Sequence, residues 1–228
     1  MQRARSVEAK QQREQDILAA ARDLATARGI RQVTLTDIAD AVGMHKSALL
    51  RYFETREQIF LLLTAEGWRD WGPSLCARLA DLAPQPVAHR AAEAADDARA
   101  AMAERMAEVI ADSLVGRPMF CDLLAQAPLN LERNVSLESV REFKLVTLEQ
   151  VDAIVAEFRR LRPGLTEEQG VDLIATATSM AGALWQMATP GPETEALYRS
   201  DPKLGHAIVE VGPRLTRVLT AVLRGFEP

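Results

Sequence analysis

Residues 34–53 read TLTDIADAVGMHKSALLRYF, and this stretch decides the fold of the N-terminal part of the chain. Thr34 and Asp37 have the Thr-x-x-Asp spacing of a helix N-terminus, and apolar residues follow at helical intervals up to Gly43. A second short helix is predicted over residues 46–53. Two short helices joined by a glycine-containing turn are typical of a helix-turn-helix, whose second helix enters the major groove of DNA.

The segments on either side extend this module. An amphipathic helix is predicted over residues 8–28, because apolar residues recur there at i, i+3, i+4 and i+7, and Gly29 ends it. On the other side, Thr55 and Gln58 have the spacing that caps a long fourth helix. Apolar residues surround much of that helix, so we expect it to be buried on several sides and to connect the module to the C-terminal part of the chain.

The remainder of the chain also has helical periodicity. Apolar spacing near 3.6 prevails and alternating strand patterns are absent, so the expected fold is all-α. The expected division is a helix-turn-helix domain at 1–56 and a helical ligand-binding and dimerisation domain at 57–228. Pro84 and Pro86 are predicted breaks, and residues 189–205 are predicted to be mainly loop. The further predicted helices cover about 87–114, a segment starting after Gly116 and Pro118, Ser136 to near Pro163, Thr166 to Ala188, and about 206–225.

Charge is distributed unevenly along the sequence. The 228 residues include 27 Lys and Arg and 32 Asp and Glu, a formal net charge of -5, which by itself argues against binding to phosphates. Residues 1–56, however, contain ten basic and seven acidic residues, whereas residues 57–228 contain seventeen and twenty-five. Positive charge is therefore concentrated where the helix-turn-helix is predicted.

Several other classes of protein have no support in the sequence. Cys76 and Cys121 are far apart, and the three histidines lack metal-ligand spacing, so neither a disulfide framework nor a metal site is expected. No apolar run follows the basic N-terminal residues, and the longest uncharged run, 173–192, contains polar residues and two prolines. We expect a cytoplasmic, nucleoid-associated protein with no membrane span and no cofactor.

The stretch TLTDIADAVGMHKSALLRYFETREQIF, residues 34–60, resembles the DNA-binding segment of the TetR/AcrR family of transcriptional regulators. The preceding amphipathic helix and the connection at 29–34 match as well, so the specific resemblance covers about residues 14–64. The resemblance implies that Lys46, Ser47 and Ala48 contact base edges. The phosphate contacts that it implies are Thr34, Thr36, His45, Arg51, Tyr52 and Arg56.

Two positions depart from the family pattern. Leu50 stands where the family commonly has a tyrosine that donates to phosphate; it is expected to pack against the first helix, which leaves Arg51 and Tyr52 to supply phosphate contacts. His45 stands where a serine is common before the recognition helix, and it either contacts phosphate or caps the helix. Four basic residues between positions 3 and 13 either reach into a groove or belong to a frayed terminus, and we favour the latter.

The resemblance also implies roles for the C-terminal helices. One module makes too few base contacts for tight specific binding, so a homodimer that places two recognition helices in successive major grooves is expected. The expected dimer interface, for which intramolecular core is the alternative, consists of Ile174, Thr178, Ala181, Leu184, Ile208, Val211, Leu215, Val218 and Val222. The expected inducer pocket, for which core packing is again the alternative, is lined by Trp68, Trp71, Met102, Met106, Met119, Phe120, Phe143 and Trp185.

Together these features favour a repressor that is released from a pseudo-palindromic operator when a small-molecule inducer binds. Its expected partners are double-stranded DNA, the inducer and a second copy of the chain. An all-helical enzyme carrying the module is the second hypothesis, but there is no Gly-rich phosphate loop, and Asp96 and Asp97 lie in an Ala-rich helix. A redox switch at Cys76 or Cys121 is the third.

Overall fold

The computed structural model describes residues 2–82 and 92–226, and within these ranges every regular element is a helix, as expected for an all-α fold. The predicted breaks at Pro84 and Pro86 lie outside the described residues. The α-helices are α1 (Gln2–Arg28), α2 (Leu35–Ala41), α3 (Lys46–Leu49), α4 (Arg56–Ala80), α5 (Ala92–Val115), α6 (Pro118–Gln126), α7 (Leu137–Leu161), α8 (Glu167–Ala188), α9 (Pro192–Ser200) and α10 (Val211–Gly225). Short 3₁₀ helices cover Ile30–Gln32, Leu131–Arg133 and Pro202–Ala207.

Side-chain caps start several of these helices where the sequence predicts them. The Thr34 hydroxyl accepts from the backbone N–H of Asp37 at 3.2 Å, and the Asp37 carboxylate accepts from the backbone N–H of Thr34 at 2.7 Å. Thr166 makes the same reciprocal arrangement at α8, and the hydroxyls of Thr55 and Ser136 cap α4 and α7. Each cap satisfies an N–H group that has no partner within its helix. The four helix starts predicted from capping residues are confirmed.

The loop predicted at 189–205 is wrong, because α9 and a 3₁₀ helix occupy most of it. Pro192 occupies the first position of α9. Backbone N–H groups at this position have no acceptor within the helix, so a proline, which lacks the N–H, is favourable there. No residue of α9 is buried, so the helix has no apolar stripe to reveal it, and an i,i+4 pair between Arg199 and Glu195 at 2.6 Å supports it instead.

Three other helix boundaries also differ from prediction. α10 begins at Val211 rather than 206, which places Pro213 in its first turn, where it costs no helix bond. α3 ends at Leu49 rather than 53, because the N–H of Tyr52 bonds the Leu49 carbonyl at 2.9 Å and tightens the chain into a turn. α1 begins at Gln2 rather than 8, so the helix includes the basic residues of the N-terminal segment. The side chains before position 8 lie outside the described residues.

A continuous apolar core joins the N-terminal module to the C-terminal helices, and α4 lies at its centre. On α4, Trp68 and Trp71 pack edge to face with ring centroids 5.3 Å apart, and Phe120 of α6 lies 5.8 Å from both. The Trp71 indole is fully buried and donates to the Ser113 hydroxyl at 2.9 Å, which in turn donates to the Ile110 carbonyl at 2.7 Å. These contacts hold α4, α5 and α6 together.

The helices α6 and α8 approach closely where Gly182 faces Ala125. A Cβ atom at Gly182 would lie 2.8 Å from the backbone nitrogen of Ala125, so only glycine allows this contact. Most of the uncharged run at 173–192 lies in α8, as a helix packed against its neighbours. Among the described helices, none combines the length and hydrophobicity needed to cross a bilayer.

Candidate nucleic-acid interface

Buried apolar side chains on the inner faces of α2 and α3 pack against the core and hold the α2–turn–α3 unit in place. Ile38 and Ala39 of α2 and Leu49 of α3 face the core and are at most 1 % exposed. Gly43 forms the turn with φ of +65°, a conformation that glycine adopts without strain, and the N–H of Met44 bonds the Ala39 carbonyl at 2.8 Å. The outer face of α3 is therefore presented in a fixed orientation.

The residues predicted to contact bases lie in the first turn of α3. Lys46 and Ser47 are exposed, Ala48 is half-buried, and the next residue, Leu49, is fully buried. In the described part of the chain, no acidic group pairs with the Lys46 ammonium. The helix therefore presents one cation and one hydroxyl to solvent, the donor types that bind guanine and other base edges.

His45 caps α3. Its Nδ1 accepts from the backbone N–H of Ser47 at 3.4 Å and lies 2.9 Å from the Ser47 hydroxyl. The capping alternative is thus the one that the structure contains.

The predicted phosphate contacts differ in their surroundings. The Thr34 hydroxyl donates to the Asp37 carboxylate at 2.7 Å, so its proton is already used. These bonds from Thr34, and the Arg28 guanidinium 3.5 Å from the carboxylate, lower the pKa of Asp37. Thr36 and Arg51 are exposed, and Tyr52 is half-buried. Within the described residues, these three side chains have no intramolecular hydrogen bond or ion pair.

Arg56 is engaged inside the module, and the structure does not present it as a free phosphate contact. Its guanidinium donates to the backbone carbonyls of Val33 and Ile30 and pairs with Glu57 at 3.0 Å. It also lies 4.6 Å from the centre of the Phe60 ring. The side chain is only 17 % exposed, so we assign it to joining α4 to the segment before α2.

The expectation that Leu50 packs against the first helix is wrong. Leu50 is the C-cap residue that follows α3, and it is 44 % exposed. The reason is the early end of α3, since the tight turn after Leu49 buries Leu49 and Phe53 and leaves Leu50 outside.

Comparison with protein-family models identifies both parts of the chain. The model described as "Bacterial regulatory proteins, tetR family" matches residues 17–63. The model described as "Tetracyclin repressor-like, C-terminal domain" matches residues 81–228, which is more than half of the chain. The chain belongs to the TetR family. The match over α1 to α4 coincides with the module described above, and TetR-family members are transcriptional regulators with a helix-turn-helix that binds DNA.

Solved structures of TetR-family type share the fold over nearly the whole length. The fatty acid degradation regulator FadR from Bacillus halodurans is 11% identical with a TM-score of 0.52, covering 93% of this chain and 94% of that one. FadR from Thermus thermophilus, described as a TetR family transcriptional repressor in complex with lauroyl-CoA, is 17% identical with a TM-score of 0.52, covering 90% and 92%. No curated protein matches the chain.

In the part of the chain that the structure describes, the eight residues predicted to line an inducer pocket are distributed between the buried core and three separate spaces. Trp68, Trp71, Met102, Met106 and Phe120 are at most 5 % exposed and fill the core around α4 and α5, so for them core packing is the better description. Phe143 lines a space of about 60 Å³ against α4. Phe120 also borders a groove of about 310 Å³ between α1, α4 and α6. Met119 and Trp185 both border a larger cleft, of about 650 Å³.

The predicted dimer residues fall into two groups. Ile174, Thr178, Ala181, Leu184 and Leu215 are at most 8 % exposed in the single chain, because α8 packs on α6 and α10. These five side chains have almost no exposed surface with which to contact a second chain, so they belong to the core. Ile208 is 55 % exposed, and three valines of α10 are half-buried: Val211, Val218 and Val222.

Two carboxylates that the sequence did not single out connect the module to the C-terminal helices. Asp122 on α6 accepts from the backbone N–H of Ile30 at 2.9 Å and from the side-chain amide of Gln186 at 2.7 Å. Glu54 accepts from the backbone N–H of Ser136 at 2.9 Å, which lowers the pKa of this carboxyl. Glu54 also accepts from the Ser139 hydroxyl at 3.0 Å. The partners of both carboxylates are distant in sequence, so neither residue belongs to a sequence motif.

The remaining candidate groups for chemistry are the two cysteines and a pair of aspartates. Cys121 is buried and donates to the Leu114 carbonyl at 3.2 Å, and burial raises the pKa of its thiol to about 12. Burial also raises the pKa of the half-buried Cys76 thiol, with a contribution from Glu157. Asp96 and Asp97 are exposed, and Asp96 pairs with Arg99 one turn along α5. Raised thiol pKa values disfavour the thiolate form that a redox switch requires.

Proposed function

We propose that this chain is a homodimeric repressor that binds a pseudo-palindromic operator through α3 and leaves it when a small molecule binds. The observation that carries the proposal is the exposed Lys46–Ser47 pair at the start of a short helix whose opposite face is buried. A rigidly held helix end with a free cation fits the major groove, which admits one helix. Membership of the TetR family supports the same assignment.

Within this proposal, the DNA contacts divide into two kinds. Lys46, Ser47 and Ala48 contact base edges, and Thr36, Arg51 and Tyr52 contact phosphates. Thr34 and His45 are weaker candidates for phosphate contact, because both already act as helix caps. Residues 1–56 form the DNA-binding part and residues 57–228 the part that binds ligand and partner.

The second copy of the chain is proposed to pack on α8 and α10. On α8, small and apolar side chains with exposed surface recur every four residues: Val171, Ala175, Ser179, Ala183 and Met187. The partly exposed Val218 and Val222 lie on the neighbouring α10. Small residues allow two helices to approach closely, so this face is suited to a two-fold contact between copies.

The ligand response is proposed to act through the contacts that join the module to α6, α7 and α8. Two carboxylate bonds and the buried core connect them, so a ligand that changes their packing also changes the orientation of α3. The lauroyl-CoA bound to Thermus thermophilus FadR belongs to that protein; at 17% identity, the likeness to this chain concerns the fold.

The test is to select duplexes from a random pool and to measure binding by fluorescence anisotropy. Lys46→Ala is expected to lose about 1–3 kcal/mol on the selected duplex and much less on a scrambled one, because base contacts carry specificity. Lys144→Ala, an exposed lysine of α7, is the matched control and should change neither. Equal losses on both duplexes would remove Lys46 from base contact, and a wild-type chain without salt-sensitive binding to any duplex would refute the function.

A further inference from the structure

A cleft of about 650 Å³ lies where the DNA-binding module meets the C-terminal helices. The end of α1 and the 3₁₀ helix after it form one wall, α6 and the end of α8 form the other, and residues 189–192 close one side. This volume is within the range of small-molecule sites in proteins. The cleft therefore has room for a ligand that touches both parts of the chain at once.

Two side-chain donors of the cleft have no partner within the described residues. Arg31 lies on the module side, is exposed, and has no ion-pair partner within the described residues. Trp185 lies on the other side, half-buried, and its indole N–H has no acceptor in the same part of the chain. Arg28 pairs with Asp37 at 3.5 Å, and both carboxylate oxygens of Asp122 already accept hydrogen bonds. The exposed side-chain amide of Gln32 is also without a partner within the described residues. The cleft thus offers one unpaired cation together with neutral donors from Trp185 and Gln32, a combination that suits an anionic group.

The rest of the lining is apolar. Met119, Pro118, Ala25 and Pro190 border the cleft together with the indole ring of Trp185. Methionine and tryptophan side chains provide adaptable and flat contact surface for a hydrocarbon or aromatic body. An occupant that combines an acidic group with an apolar body would use both kinds of lining.

We propose that this cleft binds a small organic anion with an apolar body, its acidic group on Arg31 and its body against Trp185 and Met119. The site lies beside the bond from Asp122 to the Ile30 N–H, which holds the module to α6. An occupant therefore lies next to one of the contacts that join the module to the C-terminal helices. Its action as the effector of DNA binding rests on the proposed function.

The binding test uses 1-anilinonaphthalene-8-sulfonate and its neutral analogue N-phenyl-1-naphthylamine, titrated by fluorescence into the full chain without DNA. Arg31→Ala is expected to weaken binding of the sulfonate about tenfold and to leave the neutral analogue within twofold, since a charge-assisted hydrogen bond is lost only with the former. Arg31→Lys keeps the charge and should retain most of the affinity. Arg141→Ala removes an exposed arginine of α7 outside the cleft and should change neither titration.

Unchanged sulfonate affinity in Arg31→Ala, or an equal loss in Arg141→Ala, would overturn the site. The effector role is measured separately on a selected duplex: the sulfonate should lower wild-type affinity for the duplex at least threefold, and no effect at saturating sulfonate would overturn that role. A wild-type chain that binds no duplex would refute the proposed function and the effector role together. The site itself would still stand or fall on the two titrations.

Discussion

Replacing Asp122 with alanine should destabilise the chain by about 3 kcal/mol. The carboxylate accepts one hydrogen bond from the Ile30 N–H at 2.9 Å and one from the Gln186 amide at 2.7 Å. Hydrogen bonds to charged groups contribute about 1.5–3 kcal/mol each, and Asp122 is half-buried, so the lower value applies to both. Ile30 is only 1 % exposed, which leaves its N–H without easy access to water in the variant.

Urea unfolding followed by far-ultraviolet circular dichroism, at one fixed chain concentration, measures this loss. Asp122→Asn keeps one carbonyl oxygen as acceptor and should lose about half as much, about 1.5 kcal/mol. Asp172→Ala removes an exposed carboxylate of α8 and should change the free energy of unfolding by less than about 0.5 kcal/mol. If Asp122→Ala unfolds like the wild type, the carboxylate does not hold the module to α6 and the reasoning is refuted.

Three further predictions concern buried and bridging side chains. Ser113→Ala should cost about 1–3 kcal/mol in the same unfolding assay, because the buried Trp71 N–H loses its acceptor. Thr194→Ala, which removes an exposed hydroxyl of α9, should be neutral, and equal results for the two variants would contradict the prediction. Ellman's reagent at pH 8 should leave Cys121 unmodified in the folded chain, since burial raises the pKa of this thiol to about 12, and rapid release of two equivalents would disprove it. Glu54→Gln should lower the free energy of unfolding at neutral pH, because hydrogen bonds from Ser136 and Ser139 lower the pKa of Glu54 from its usual 4.5. The difference in unfolding free energy from the wild type should be complete above pH 4.5 and vanish as the pH falls through the lowered pKa; a difference that does not change with pH would contradict this.

Local signals in the sequence predicted the helix-turn-helix correctly. The caps at Thr34 and Thr55 and the glycine turn at Gly43 depend on residues within a few positions of one another, and the structure contains all three. α9 escaped prediction because it buries no residue and begins with a proline, so neither periodicity nor composition marks it. Local chemistry fixes helix starts, whereas a helix without a buried face leaves no pattern.

Features that depend on tertiary packing could not be predicted from local patterns. An apolar stripe on α8 predicts a buried face but not which helix covers it, and Ile174, Ala181 and Leu184 face helices of their own chain. Arg56 has the residue type of a phosphate contact, yet carbonyls of the preceding segment bind it. Asp122 gains its role only because α6 lies beside Ile30, a residue distant in sequence.

Hydroxyl-radical footprinting of the chain on a selected duplex tests most directly whether the α3 helices of two copies bind in successive major grooves. We expect two protected patches on one face of the duplex, centred about 10 base pairs or a multiple of that apart, and their disappearance at high salt. A single patch, or no protection at a concentration that saturates binding, would contradict it.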